Sequence, residues 1–208
     1  TNYQSAAYAA RYRNPVDQVR KVAFDGGYGE ALPRGVAINY AKLLAYKDEY
    51  EVARLYTDGR FAESIRKQFD GNFKMNFNLA PPILNSGVDA SGRPRKRAFG
   101  PWMMNVFGVL AKFRFLRGTL FDPFSYSEDR KLERNLIKGY EQDVVTAAKL
   151  LSPKTHDIAV ELLSMPDQIR CYGPVKEASI AKTKVRYEQL AKDLVNPPPM
   201  IAPQIAAE

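Results

Sequence analysis

The side chains that could perform acid–base or nucleophilic chemistry are few in this chain of 208 residues. It has a single histidine, His156, and a single cysteine, Cys171. Because these two residues cannot supply the ligands of a structural zinc site or an iron–sulfur cluster, we expect no metal site built from this chain alone. We interpret His156 as an exposed or helix-capping residue and Cys171 as a small buried residue in a tight turn. The sequence also contains no glycine-rich phosphate loop of the GxGxxG or GxxxxGK type. Residue chemistry alone therefore assigns no active site.

One dense group of cations is the best remaining candidate for a binding site. It comprises Arg93, Arg95, Lys96 and Arg97, and Arg117 follows in the segment LRGT. Arginine can hold a phosphate or a carboxylate through two parallel N–H groups, so these residues are candidates for binding an anion such as coenzyme A. Equally, the cluster could dock on an acidic protein surface or form a solvated loop. These alternatives stay open.

A second group of charged and aromatic residues, YKDEYEVARLY, lies in an amphipathic segment that we predict to be one helix over residues 35–58. Its spacing favours a helix with one buried and one solvated face, with Lys47 and Glu51 paired at i,i+4. The alternative is a packing surface against another domain. On that alternative the interface candidates are Lys47, Asp48, Glu49, Tyr50 and Arg54, together with Arg170 and Lys176 in the C-terminal part.

The segment PWMMNVFGVLAKF, at 101–113, is apolar nearly all round. Its residues Trp102, Val106, Val109, Leu110 and Phe113 fall on one helical stripe. A helix of this kind is typical of a protein core, and it is too short to cross a bilayer. We therefore predict a mainly α fold, with six to seven helices around this buried central helix.

Signals for helix ends, a strand and a tail complete the predicted fold. Asn14-Pro15 is typical of a helix start, and Gly26-Gly27 of a helix end. Alternation over 73–79 predicts one small β element, whose partner lies near 95–99 or in chain that is not present here. We predict a single helical domain over 1–195, in which 1–34 form a leading helix and loop, and a Pro-rich flexible tail over 196–208.

The composition favours an anionic partner. The chain contains 31 Lys and Arg against 23 Asp and Glu, which gives a formal charge of +8. The basic residues are spread along the chain, which favours docking on an acidic neighbour over a dedicated nucleic-acid groove.

The single cysteine suits a reducing compartment, and no signal peptide or membrane span is found, so we expect a cytoplasmic protein without a membrane partner. Because the chain begins with Thr1, we expect it to be a piece of a longer protein.

Five phrases occur in order along the chain: LLAYKDEYEVARLYTDG (43–59), NLAPPIL (78–84), GRPRKRAFGPWM (92–103), LRGTLFDPF (116–124) and DQIRCYGPVKEASI (167–180). Together they resemble the C-terminal region of the long, fused indolepyruvate ferredoxin oxidoreductases. The resemblance covers about residues 7–196. Cys171 departs from it, because the family usually has glycine there.

The resemblance implies a function for the whole enzyme rather than for this segment. Such an enzyme oxidatively decarboxylates an aryl 2-oxoacid such as indolepyruvate, using thiamine diphosphate, iron–sulfur (4Fe–4S) clusters and coenzyme A as a substrate, and it passes electrons to ferredoxin. The thiamine diphosphate signature and the cluster cysteines are missing here. We therefore expect a non-catalytic domain that binds no cofactor itself. Its partners would be the remaining domains of a homodimeric enzyme and, through them, ferredoxin. The alternative is a free-standing basic helical module that binds nucleic acid or a protein.

Overall fold

The computed structural model describes residues 3–71, 73–80, 87, 89, 95–169 and 174–199. The mainly α class with one small β element is confirmed. Two short 3-10 turns, Phe113–Leu116 and Met165–Gln168, follow α5 and α7. The described elements are α1 (Ala6–Asp25), α2 (Ala31–Leu44), α3 (Glu49–Thr57), α4 (Arg60–Gln68), β1 (Phe77–Leu79), β2 (Arg97–Phe99), α5 (Met103–Lys112), α6 (Glu128–Leu150), α7 (His156–Ser164) and α8 (Pro174–Val195). None of these helices is both long enough and apolar enough to span a membrane.

The chain divides into two compact units. Unit 1 comprises Thr1–Ala45 and Glu133–Glu208, and unit 2 comprises Tyr46–Leu132. The sequence predicted one domain over 1–195 with a tail at 196–208, and most of that tail lies outside the described residues.

Unit 1 is a set of helices packed in series. Helix α1 packs on α2, α2 on α7, and α7 on α8. The short stripe predicted for α1, Val16, Val19 and Ala23, is buried. The helix ends where predicted, because Gly27 adopts a positive φ of 72° that glycine takes without strain.

The predicted start of α1 at Asn14-Pro15 is wrong. The helix begins at Ala6, and Ser5 caps it by accepting a hydrogen bond from the backbone N–H of Tyr8 at 3.1 Å. Pro15 lies inside the helix, where its ring nitrogen cannot donate to the carbonyl of Arg11. The hydroxyl of Tyr40 lies 3.4 Å from that carbonyl, but its single proton is donated to Glu141 in a much shorter contact. The proline thus removes one backbone hydrogen bond of α1, and the helix continues through it to Asp25.

The single helix predicted over residues 35–58 is also two helices, α2 and α3. Asp48 takes an extended conformation between them and caps α3, accepting a hydrogen bond from the N–H of Glu51 at 2.7 Å. The predicted pair between Lys47 and Glu51 is not formed. Glu51 binds Arg54 instead, with a nitrogen–oxygen distance of 2.6 Å.

Unit 2 is built around a small aromatic core. Strands β1 and β2 pair antiparallel, with Phe77 opposite Phe99, so the strand partner near 95–99 is confirmed. Helix α5 packs on α3. The buried centre of this unit consists of Ala53, Phe77, Met103 and Phe107.

The prediction that α5 is buried nearly all round is wrong for most of its stripe: Trp102 and Val109 are each 56% exposed. Leu110 of the same stripe packs against the core, and Met103 and Phe107, which widen the stripe in the sequence, are buried. Phe107 stacks on Tyr56 at 5.1 Å between ring centroids, and this aromatic contact holds that face against the core. Helix α5 is therefore apolar on two faces, of which unit 2 covers one.

Candidate functional site

Two phrases that carry the family resemblance meet in unit 2 through a buried ion pair. Arg117 of LRGTLFDPF donates from Nε to Oδ2 of Asp48 at 2.6 Å and from Nη2 to Oδ1 at 2.9 Å. Both side chains are almost fully buried. A planar guanidinium matched to a carboxylate in this way is the strongest common form of ion pair. Oδ1 of Asp48 thus accepts both the cap of α3 and one N–H of Arg117, while Oδ2 accepts the other N–H of Arg117.

Asp122 holds the second half of the same phrase. Its Oδ1 accepts the hydroxyl of Tyr50 at 3.1 Å and the N–H of Phe124 at 3.1 Å. Its Oδ2 accepts the N–H of Gly118 at 2.8 Å, and Gly118 reaches this position with a φ of 73°. Burial, followed by the charge of Asp122, raises the pKa of Tyr50 to about 12. The tyrosine therefore stays protonated and serves as a hydrogen-bond donor.

The neighbouring acidic residues of α3 are paired in the same unit. Arg130 donates to both oxygens of Glu49 at 2.8 Å and lies over the ring of Tyr46. Burial favours the neutral form of Arg130, but the charge and hydrogen bonds of Glu49 outweigh it and leave its pKa above the ordinary value. Arg54 binds Glu51, and this hydrogen bonding raises its pKa. Each of these carboxylates therefore has an arginine partner within unit 2, which is a structural arrangement rather than one that leaves a carboxylate open to a ligand.

This network accounts for four of the interface candidates, Asp48, Glu49, Tyr50 and Arg54. Each has its polar atoms in a contact within unit 2. Arg117 was predicted to bind an external anion. Its guanidinium instead binds the carboxylate of Asp48 through two nitrogens. Lys47 differs from the rest of the phrase because its side chain is exposed.

The predicted basic cluster lies partly in the described chain. Arg93 and, in the C-terminal part, Arg170 lie outside it. Arg95, Lys96 and Arg97 are exposed. Lys96 and Arg97 take part in no ion pair within the described ranges, so both can meet an external anion.

Unit 1 has polar contacts of its own, of which the pair of Lys176 and Glu133 is nearly buried and the pair of Arg11 and Glu141 is partly exposed. Lys176, an interface candidate, binds Glu133 at 2.7 Å, and both are nearly fully buried. The carboxylate of Glu141 receives Nε of Arg11 at 2.6 Å and a short hydrogen bond from the hydroxyl of Tyr40. Burial favours protonation of this carboxylate, but the two donors outweigh it and lower its pKa.

The single histidine sits where the sequence placed it, in the first turn of a helix. His156 stacks on Tyr28 at 5.5 Å, and its Nδ1 lies 2.8 Å from Asp157. Cys171 lies outside the described residues. Within the described ranges, no three His, Cys, Asp or Glu side chains are placed to hold a metal ion.

Residues 1–189 match the model of a family of unknown function, DUF6537. The chain belongs to this family. No curated protein and no solved structure matches it.

Sequence reasoning missed the residues that complete these contacts. Asp122, Arg130 and Glu133 were not singled out, although each pairs with a residue that was. The Asp-Pro turn in LRGTLFDPF is the one local signal for Asp122, since aspartate before such a turn binds nearby backbone N–H groups. Arg130 and Glu133 lie on α6. A long exposed helix would carry the same charged residue types, so the sequence does not distinguish these two from solvated residues.

Proposed function

We propose that this chain is a non-catalytic accessory domain of an indolepyruvate (aryl 2-oxoacid) ferredoxin oxidoreductase. It supports the packing of the other domains, the dimer, or the entrance for substrate and coenzyme A. One observation carries the proposal: two of the five phrases of the resemblance bind each other through Asp48, Arg117, Tyr50 and Asp122. Those residues are placed to hold a fold, as expected of a domain that positions others.

The chemistry of the enzyme is then performed elsewhere. The proposal assigns thiamine diphosphate and the iron–sulfur clusters to the remaining domains, and ferredoxin to a surface that those domains provide. It places the protein in the cytoplasm, where such thiols and clusters stay reduced. The enzyme is a homodimer in this proposal.

The test uses the protein in its natural context. A tag added to its chromosomal gene allows the assembly to be purified and assayed for indolepyruvate oxidation that depends on coenzyme A and reduces ferredoxin. We expect that activity to copurify with the tag. Copurification of a stable assembly without 2-oxoacid oxidation would overturn the proposal. Turnover by the 208-residue chain alone would refute its non-catalytic part.

A role at the coenzyme A entrance belongs to the exposed cations of the basic cluster. Titration calorimetry of the 208-residue chain with coenzyme A should show binding that the double variant Lys96→Glu/Arg97→Glu loses. Lys182→Glu/Lys184→Glu changes the same number of exposed charges on α8 and is the matched control. Absence of heat with the unmodified chain would dismiss this role and leave the accessory role standing.

A basic module that binds nucleic acid is the second candidate, because Lys96, Arg97, Lys112 and Arg114 are exposed and form no ion pair in the described chain. Binding through phosphates weakens steeply with salt, because each neutralised phosphate releases counterions. A gel shift with short DNA and RNA across a salt series tests it. A shift lost between low and physiological salt favours this candidate, and no shift at low salt removes it.

A further inference from the structure

Unit 2 leaves one side of α5 uncovered. We name this surface the outer face and define it by Trp102, Val106, Val109 and Phe113, all exposed. Positions spaced by three or four residues lie on one side of a helix, so the four form a continuous stripe about 16 Å long. The ring of Phe99 contacts Trp102, and that of Phe115 contacts Phe113, which extends the stripe at both ends.

The neighbouring side of the same helix is the one that packs in unit 2. Met103 and Phe107 are buried against Ala53 and Phe77. The outer face therefore has no further place in the core of its own unit. An exposed stripe of large apolar side chains, one of them the only tryptophan of the chain, is unusual for a surface that meets only water.

The charge around the outer face has one sign. Lys96 and Arg97 precede it, and Lys112 and Arg114 follow it, all exposed and outside any ion pair of the described chain. From residue 90 to residue 121 the sequence contains no Asp or Glu. The outer face is thus an apolar stripe with uncompensated positive charge at both ends.

The positive charge at both ends restricts which partner can bind the outer face. A second copy of the chain would bring four like charges to the same ends, which opposes association. Val106 and Phe113 are 43% and 44% exposed, against 56% for Trp102 and Val109, so each side chain is partly packed on its own unit and partly open. Side chains held in this way form a ridge along the helix, and such a ridge packs into the groove of another helix. A bilayer is the other candidate, and the experiment below separates the two.

We propose that the outer face docks a helix of the catalytic part of the oxidoreductase. That helix is apolar along its middle and carries Asp or Glu at both ends, opposite the two pairs of cations. The inference rests on the proposed function and deepens it, because it names the surface through which the accessory domain meets the rest of the enzyme.

Thiol footprinting tests the docking. Val109→Cys places a thiol on the outer face, and Val185→Cys places one at a highly exposed position of α8 as the control. Alkylation by N-ethylmaleimide is followed by mass spectrometry, which separates either site from Cys171. The rates are compared between the tagged assembly purified from its source cells and the 208-residue chain alone.

We expect docking to slow alkylation at position 109 by about tenfold or more, since the rate follows the fraction of undocked molecules. Position 185 should change by less than about twofold on the same reasoning. The added substitutions Lys112→Glu/Arg114→Glu should restore reaction at position 109, and the control pair Lys182→Glu/Lys184→Glu should not.

The remaining outcomes separate this inference from the proposed function. An assembly that oxidises indolepyruvate while position 109 reacts as in the chain alone, or while both positions are protected equally, overturns the docking face and leaves the function intact. An assembly without that activity overturns both. Protection of the isolated chain that grows with its concentration identifies a second copy as the occupant. Protection that needs phosphatidylserine vesicles identifies a membrane, and either result refutes the docked helix.

Discussion

Replacing Asp48 by alanine removes two contacts at once, the cap of α3 and the partner of Arg117. Loss of an aspartate cap costs about 1 kcal/mol. Removing one member of a buried ion pair costs roughly 3–5 kcal/mol, because the other charge stays buried without compensation. We therefore expect Asp48→Ala to lower the free energy of unfolding by roughly 4–6 kcal/mol. Asp48→Asn keeps an oxygen for the cap and should lose about 1 kcal/mol less.

The assay exploits the position of the only tryptophan. Trp102 lies in unit 2, so its fluorescence during urea unfolding reports the unit that contains the ion pair. Asp48→Ala, Arg117→Met and the double variant form a cycle. Because each single change leaves one buried charge and the double change leaves none, the double variant should be more stable than the sum of the two losses by about 2–3 kcal/mol.

A surface pair gives the matched comparison. Glu128 and Lys131 bind at 2.8 Å on the exposed side of α6, and their cycle should yield no more than about 0.5 kcal/mol. If the losses at Asp48 and Arg117 add to within about 0.5 kcal/mol, the two side chains do not act as one buried unit. The structural argument for the motif would then be refuted.

Three further changes test other parts of the fold. Pro15→Ala restores a helical N–H and should raise the free energy of unfolding by roughly 1–3 kcal/mol in chemical denaturation, unless the proline fixes a bend that α1 requires. Phe107→Ala should cost roughly 3–5 kcal/mol and Val109→Ala under about 0.5 kcal/mol, and equal losses would contradict the assigned faces of α5. Glu141 has a lowered pKa when folded, so its stabilisation is present above its ordinary value of 4.5 and is lost as the pH falls through the folded value. Glu141→Gln should therefore flatten the acid side of a plot of unfolding free energy against pH, and an unchanged slope would contradict this.

Local signals in the sequence were sufficient where one residue type decides the backbone. The end of α1 follows from Gly27, because only glycine takes its positive φ without strain. Alternation over 73–79 predicted one strand, and a strand needs a partner, so 95–99 was one of two places in which to expect it. The pairing of Phe77 with Phe99 decides between them, and it joins segments that are distant in the sequence.

Long-range contacts decided the places where the predictions were wrong. The start of α1 was misplaced because the turns before Pro15 are held by long-range contacts: the hydroxyls of Tyr8 and Tyr12 donate to backbone carbonyls of α2. The break between α2 and α3 was missed because Asp48 fits a helical pattern until Arg117 and the cap hold it in an extended conformation. In the candidate site, the same two contacts turn residues that were predicted for an interface into an internal network.

Helix α5 shows why hydrophobic periodicity has no direction. The helix was predicted to be buried nearly all round, yet Met103 and Phe107 are its buried residues, while Trp102, Val106, Val109 and Phe113 are exposed. Periodicity measures which residues share a face, whereas burial depends on which face meets the strands and α3. When both faces are apolar, the sequence indicates that both have partners and leaves open which partner is intramolecular. The wrong burial prediction and the proposed docking face therefore have one cause. Helix α5 has the composition of a core helix, but unit 2 covers only one of its apolar sides.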